Sequence, residues 1–105
     1  METLKKQVKH VLLIGMADKD TKTQTIPTEL FKKNIHEVCG DCSIIEGIKG
    51  YYTHDNGEEV QEDTLRVEML FKDTAEVRLM ATELKSRLNQ ESIIYSQEPI
   101  YSTLI

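Results

Sequence analysis

Residues 10–16 read His-Val-Leu-Leu-Ile-Gly-Met, and the run is apolar in both alternating phases: Val11 and Leu13 in one, Leu12, Ile14 and Met16 in the other. Side chains of a strand alternate across the sheet, so a run apolar in both phases needs cover on two sides. The chain must therefore build a central strand here, pack something on one face of its sheet, and account for the other face. The run is far too short for a bilayer span, which takes about twenty residues. Lys5, Lys6 and Lys9 precede it as in a signal peptide, but Asp18 follows at once and no small-x-small cleavage pattern is present. With two cysteines in 105 residues, a secreted disulfide framework is also out of reach. The expected setting is the cytoplasm, with no membrane partner.

The rest of the chain supplies what that strand needs. Residues 18–25 are polar and threonine-rich and read as a loop. Pro27 suits a first helical position. Phe31, Ile35 and Val38, supported by Leu30, then recur on one helical face, and Gly40 suits the position just past the helix end. Residues 44–53 read as a strand and Asp55-Asn56-Gly57 as a hairpin turn. The returning strand places Leu65, Val67, Met69 and Phe71 on one face, while the acidic stretch 58–63 reads as solvated. Asp73 with Glu76 three residues on forms a capping box, ahead of a buried stripe of Val77, Met80, Ala81, Leu84 and Leu88. Residues 92–95 begin a last strand, which Pro99 makes an edge strand or stops; residues 100–105 offer a further short one.

The order β-α-β-β-α-β, with Ser-Ile-Ile repeated after each helix at Ser43 and Ser92, predicts an α+β, ferredoxin-like sandwich over residues 1–105 as one domain. Its antiparallel sheet carries both helices on one face. If Val11 and Leu13 face the helices, then Leu12, Ile14 and Met16 face water and form an interface with a second copy; the opposite parity strands the other set. Either way a homo-oligomer, a dimer in the simplest case, is expected.

A strand, a Phe-containing helix, and Gly50-Tyr51-Tyr52 ahead of Asp55-Asn56-Gly57 resemble small uncharacterised bacterial ferredoxin-like proteins. The resemblance implies the fold and carries no activity with it. Acylphosphatases share the topology, but Asp18-Lys19-Asp20-Thr21-Lys22 stands where their Gly- and Arg-bearing loop would be.

Chemistry-bearing residues are few. His36, Cys39 and Cys42 have the spacing of zinc ligands, although no second Cys/His pair completes a site. Cys39 at a helix C-terminus is also poorly placed for redox work, where a thiolate needs the N-terminal end of the dipole. His10 and His54, with Tyr52 near the latter, are the candidates for general acid–base work. There is no phosphate-binding glycine loop, no nucleophile elbow and no His-Glu-x-x-His. Thirteen basic against eighteen acidic residues give a net charge of -5, and Lys5, Lys6 and Lys9 lack interleaved aromatics, so nucleic acid is not an expected partner.

These readings lead to a small non-catalytic binding or assembly module that self-associates through its sheet and needs no cofactor. The alternative is a dimeric α/β-barrel-type enzyme with a small-molecule cavity near His10, His54 or Tyr52. A further alternative is a mobile-element accessory protein that blocks a host factor by acidic mimicry.

Overall fold

Strand β1 (Lys5–Gly15) is longer than its apolar run because the lysine-rich segment before it pairs as well. In the computed structural model, which describes residues 3–105, it is followed by α1 (Thr28–Cys39), β2 (Ser43–Thr53), β3 (Glu59–Met69), α2 (Thr74–Arg87) and β4 (Ile94–Ser102). The sheet order is β2-β3-β1-β4 with every neighbouring pair antiparallel. This is the ferredoxin-like α+β arrangement, with β1 central as its composition requires. No helix among the described residues is long and apolar enough to cross a membrane.

Local chemistry sets the boundaries. Pro27 is the cap of α1 rather than its first helical residue. Gly40 closes that helix at φ 67°, donating its N–H to His36 O at 2.9 Å. Asp73 and Glu76 form the reciprocal capping box at the start of α2: the Glu76 N–H donates to Asp73 Oδ1 at 2.7 Å, and the Asp73 N–H to Glu76 Oε1 at 3.3 Å. The core gathers Leu12, Ile14, Leu65, Val67 and Met69 from the sheet under Phe31, Ile35, Val77, Leu84 and Leu88 from α1, α2 and the end of α2.

The structure corrects the expected parity of β1. Leu12 and Ile14 are fully buried and Met16 nearly so, all within the core under the helices, and they are not available as an interface. Their partners across the sheet decide this. Leu12 pairs with Val67 and Ile14 with Leu65, so the period-two apolar face of β3 carries the even-numbered residues of β1 with it. Val11, Leu13 and Gly15 therefore occupy the face without helices. Val11 is buried there all the same, beside a lattice of paired charges: Arg66 donates to Glu68 at 2.8 Å and to Glu98 at 2.9 Å, and Lys9 lies 3.6 Å from Glu68.

Other expectations shift at strand ends. Phe71 does not extend the apolar face of β3; it lies past the strand at φ 60° and is exposed. Residues 59–63, read as solvated, are part of β3. Strand β4 runs through Pro99 to Ser102, absorbing the separate short strand expected after the proline. It pairs only with β1, and an edge position tolerates a missing N–H.

Candidate active site

A β-bulge and two glycines open a cleft on the helix-free face, at the end of the sheet nearest the β2–β3 turn. The β2–β3 register slips between Ile45 and Ile48, with Gly47 at φ 82°. Before the slip the odd-numbered residues of β2 share the face of Arg66; after it the even-numbered Gly50 and Tyr52 take their place. The bulge therefore re-aims Tyr52 onto the open face and leaves Tyr51 exposed at the surface. Gly50 is required beneath it, since a Cβ there would overlap the Tyr52 ring and Thr64 Oγ1. Gly15 makes the same kind of room on β1, where a Cβ would overlap the Glu62 carboxyl group. Glu62 Oε2 accepts the Ala17 N–H at 2.7 Å, which holds the carboxylate across the end of β1.

His54 closes the far wall. It follows β2 at the turn, with its N–H donating to Glu58 O at 2.9 Å and the Gly57 N–H donating to His54 O at 2.9 Å. Its ring is buried, and Nδ1 lies 3.2 Å from Lys22 Nζ and 3.3 Å from Glu91 Oε2. Nε2 is buried with no partner among the described residues. The Asp55 N–H donates to Glu91 Oε1 at 3.2 Å; this bond first, then the fields of His54 and Lys22, hold the Glu91 carboxyl below its ordinary value. Lys22 reaches His54 from the loop after β1, which is tied to the end of α2. Asn89 Nδ2 donates to Asp18 Oδ2 at 2.8 Å and to Asp20 Oδ2 at 2.9 Å, and the Lys19 N–H donates to Asn89 O at 3.0 Å. Asn89 accordingly holds the Asp18 carboxyl below its ordinary value.

The cleft between these walls has a volume of about 130 Å³ and is lined by Leu13, Gly15, Tyr52, His54, Glu62, Glu91 and their neighbours. A second concavity of about 320 Å³ shares Tyr52 and Thr53 with it and runs along β2 and β3.

The expected site residues part company here. Tyr52 and His54 meet at the cleft. His10 lies on the helix-covered face, buried, with Nδ1 2.5 Å from Tyr95 Oη and Nε2 2.7 Å from Lys72 O. Both ring nitrogens are engaged, so His10 locks β1 to β4 and to the loop ahead of α2. His36 is exposed while Cys39 is buried in the core, and no group of three or more His, Cys, Asp or Glu side chains among the described residues is placed to hold a metal. Burial pushes the Cys39 thiol up to about 11 and raises that of Cys42 as well, the reverse of what a reactive or metal-binding thiolate requires.

Sequence reading missed Glu62, Glu91 and Lys22. Glu62 was hidden in an acidic stretch that looked solvated. Its signal was on another strand: Gly15, alone in an otherwise bulky apolar run, marks a close approach by a neighbouring group.

Neither a family model nor a curated protein sequence matches the chain. Solved structures do, and two of them are alike in kind. A phage SAM lyase in complex with S-methyl-5'-thioadenosine superposes with a TM-score of 0.69 at 22% identity, covering 97% of this chain and 95% of that one. A phage SAM lyase in the apo state gives 0.67 at 21% identity, over 100% and 98%. These likenesses show the fold, end to end. They give no support to a link with a bacterial group beyond that fold. They also count against the expected non-catalytic module, since both of these chains, matched over nearly their whole length, are described as a lyase.

Proposed function

We propose that this chain is a lyase acting on S-adenosylmethionine and releasing S-methyl-5'-thioadenosine. The observation that carries the reading is the cleft itself, where Glu62, Glu91, Tyr52 and His54 converge, the Glu62 carboxyl seated over Gly15. A buried His and carboxylates converging in a concavity are the usual mark of a working site, and here they stand on the fold of a lyase for this substrate. The charge fits as well. The substrate brings a sulfonium and an α-ammonium against one carboxylate, and Glu62 and Glu91 set an anionic cleft to meet the two cations. Tyr52 offers a ring face to a cation or to the adenine.

In such a reaction the bond between sulfur and the aminobutyryl chain breaks, and its electron pair stays on sulfur, which becomes a neutral thioether. The four-carbon fragment leaves as a lactone if its own carboxylate closes on the carbon that loses sulfur. It leaves as an alkene if a base removes the neighbouring proton, and Glu62 is the carboxylate placed for that. No water is consumed on either route. The test is incubation of the purified protein with S-adenosylmethionine, followed by chromatography and mass analysis. Accumulation of S-methyl-5'-thioadenosine with one of those fragments is expected, and unchanged substrate at high enzyme concentration would overturn the reading.

Self-association belongs to the same proposal, relocated from the buried even-numbered residues of β1 to the helix-free face. Ile45 and Ile94 are exposed there beside Leu13, which lines the cleft together with Ile94. A second copy laid on that face would cover them. Sedimentation of the wild type against Ile94→Asp tests it: a larger species for the wild type supports it, and a wild-type monomer at high micromolar concentration defeats it. The two free cysteines suit a reducing compartment, and the cytoplasm is the location proposed.

A further inference from the structure

The buried, unpartnered nitrogen of His54 has a use that the arrangement around its other nitrogen specifies. Nδ1 faces an ammonium and a carboxylate at nearly equal distance, Lys22 Nζ at 3.2 Å and Glu91 Oε2 at 3.3 Å. An ammonium only donates and a carboxylate only accepts, so a neutral imidazole satisfies one of them at a time. Glu91 already takes the Asp55 N–H on its other oxygen. Lys22 is fixed at the imidazole by its own loop: it sits at φ 61°, its N–H donates to Asp18 O at 2.8 Å, and its ammonium also donates to the Lys19 carbonyl. With the Lys22 ammonium donating to Nδ1, the ring proton must be on Nε2. That atom is buried and has no partner among the described residues, an unsatisfied donor that a ligand would relieve.

We infer that His54, held by Lys22 as the Nε2–H tautomer, receives the anionic end of the cleft's ligand, the α-carboxylate of an amino-acid-bearing substrate. The inference rests on the cleft being the ligand site of the proposed lyase. Its logic is electrostatic: with Glu62 and Glu91 meeting cationic groups, the Lys22–His54 corner is where an anion of a zwitterionic ligand finds a donor backed by a positive charge.

Two measurements test it. In the free protein, ¹⁵N–¹H correlation through the His54 ring should show the Nε2–H tautomer, and Lys22→Met should shift the ring toward Nδ1–H as Glu91 takes over. A wild-type ring already in the Nδ1–H form would overturn the inference. Calorimetry then compares S-adenosylhomocysteine, which carries the α-carboxylate, with S-methyl-5'-thioadenosine, which lacks it. His54→Phe should weaken the first at least tenfold and the second less than twofold, and His54→Gln, which keeps an N–H donor, should recover most of the loss. Equal losses for both probes, or none, would overturn it. Should the wild type bind neither nucleoside, the lyase reading falls, and acetate titration of the His54 Nε2–H resonance decides this inference alone. A saturating shift upholds it and a flat response ends it.

Discussion

The helix-free face of the sheet has two halves built on opposite principles. Around Val11, Lys9, Arg66, Glu68 and Glu98 pair with one another, and Arg66 donates to two carboxylates at once. Around Gly15, the side chains are withdrawn or left wanting: glycines replace Cβ atoms and, among the described residues, His54 has a nitrogen without a partner and Glu62 is held by a backbone N–H. Both halves lie on the same strands, within a few residues of each other in register. A surface that only has to stay soluble can satisfy its charges internally. One that has to receive a ligand keeps groups unsatisfied and pays in stability for the room. That contrast, rather than any single residue, singles out the cleft.

The comparison depends on the odd-numbered residues of β1 facing away from the helices, and exchanging charge across the strand is the severest way to break it. Leu12→Asp places a carboxylate in the core with no partner and should cost about 4 kcal/mol or more, enough to unfold the chain. Ile94→Asp, on the open face and half exposed, should cost under about 1 kcal/mol. Urea denaturation of the two variants checks this. Equal losses would mean that the faces have been assigned wrongly.

The next test sets one carboxylate from each half against the other. For the proposed lyase reaction, Glu62→Gln should lower cleavage of S-adenosylmethionine by about 100-fold or more, with the melting temperature nearly unchanged, as expected for a group that acts on the reacting atoms or holds them in place. Glu68→Gln should leave turnover within about twofold, because neither Glu68 nor its partners Arg66 and Lys9 line the cleft. If Glu68 proved the more damaging change, the functional half of the face would be the paired one. Gly15→Ala follows in size. The new methyl group displaces only the flexible end of Glu62, so stability should fall by about 1 kcal/mol or less while turnover drops about tenfold. Steady-state rates and thermal melts on the same preparations separate the two quantities.

How much of this was legible in the sequence follows from the range of each signal. The capping box at Asp73, the Gly40 helix end and the Asp55-Asn56-Gly57 turn are local chemistry and are found where the residues place them. The topology followed from element order. Parity on β1 was not legible, because both phases are apolar and only the partner strand β3, polar at Arg66 and Glu68, decides between them. The cleft was half legible: His54 and Tyr52 stand beside a recognisable turn, yet Tyr52 reaches the cleft only because Gly47 inserts a bulge upstream. Glu62, Glu91 and Lys22 come from three separate segments. Each is an ordinary surface-type residue in its own stretch of chain, and only the folded register brings them together.

The smallest predicted effect sharpens the contrast through pH and salt. Glu68 and Glu91 both have carboxyl groups held below their ordinary value, Glu68 chiefly by the Arg66 guanidinium and Glu91 chiefly by the Asp55 N–H. A carboxyl whose folded value is depressed stabilises the fold above its unfolded value, and that contribution is lost as pH falls through the folded one. Wild type should therefore exceed Glu68→Gln in stability by at most about 1 kcal/mol at neutral pH, the range for a surface ion pair. The margin should close as the pH drops below 4.5, the ordinary value for a glutamate. Salt separates the two halves. Screening at 1 M, where the Debye length is about 3 Å, should shrink the Glu68 margin because its partner is a cation. It should leave the Glu91→Ala margin largely intact, since the main partner lost there is a neutral backbone N–H. Chemical denaturation by urea at pH 3, 5 and 7, at low and high salt, reads all of this. Margins that respond to salt alike in both halves would show that the cleft carboxylate is held by charge pairing after all, and the contrast between a satisfied half and a poised half would lose its basis.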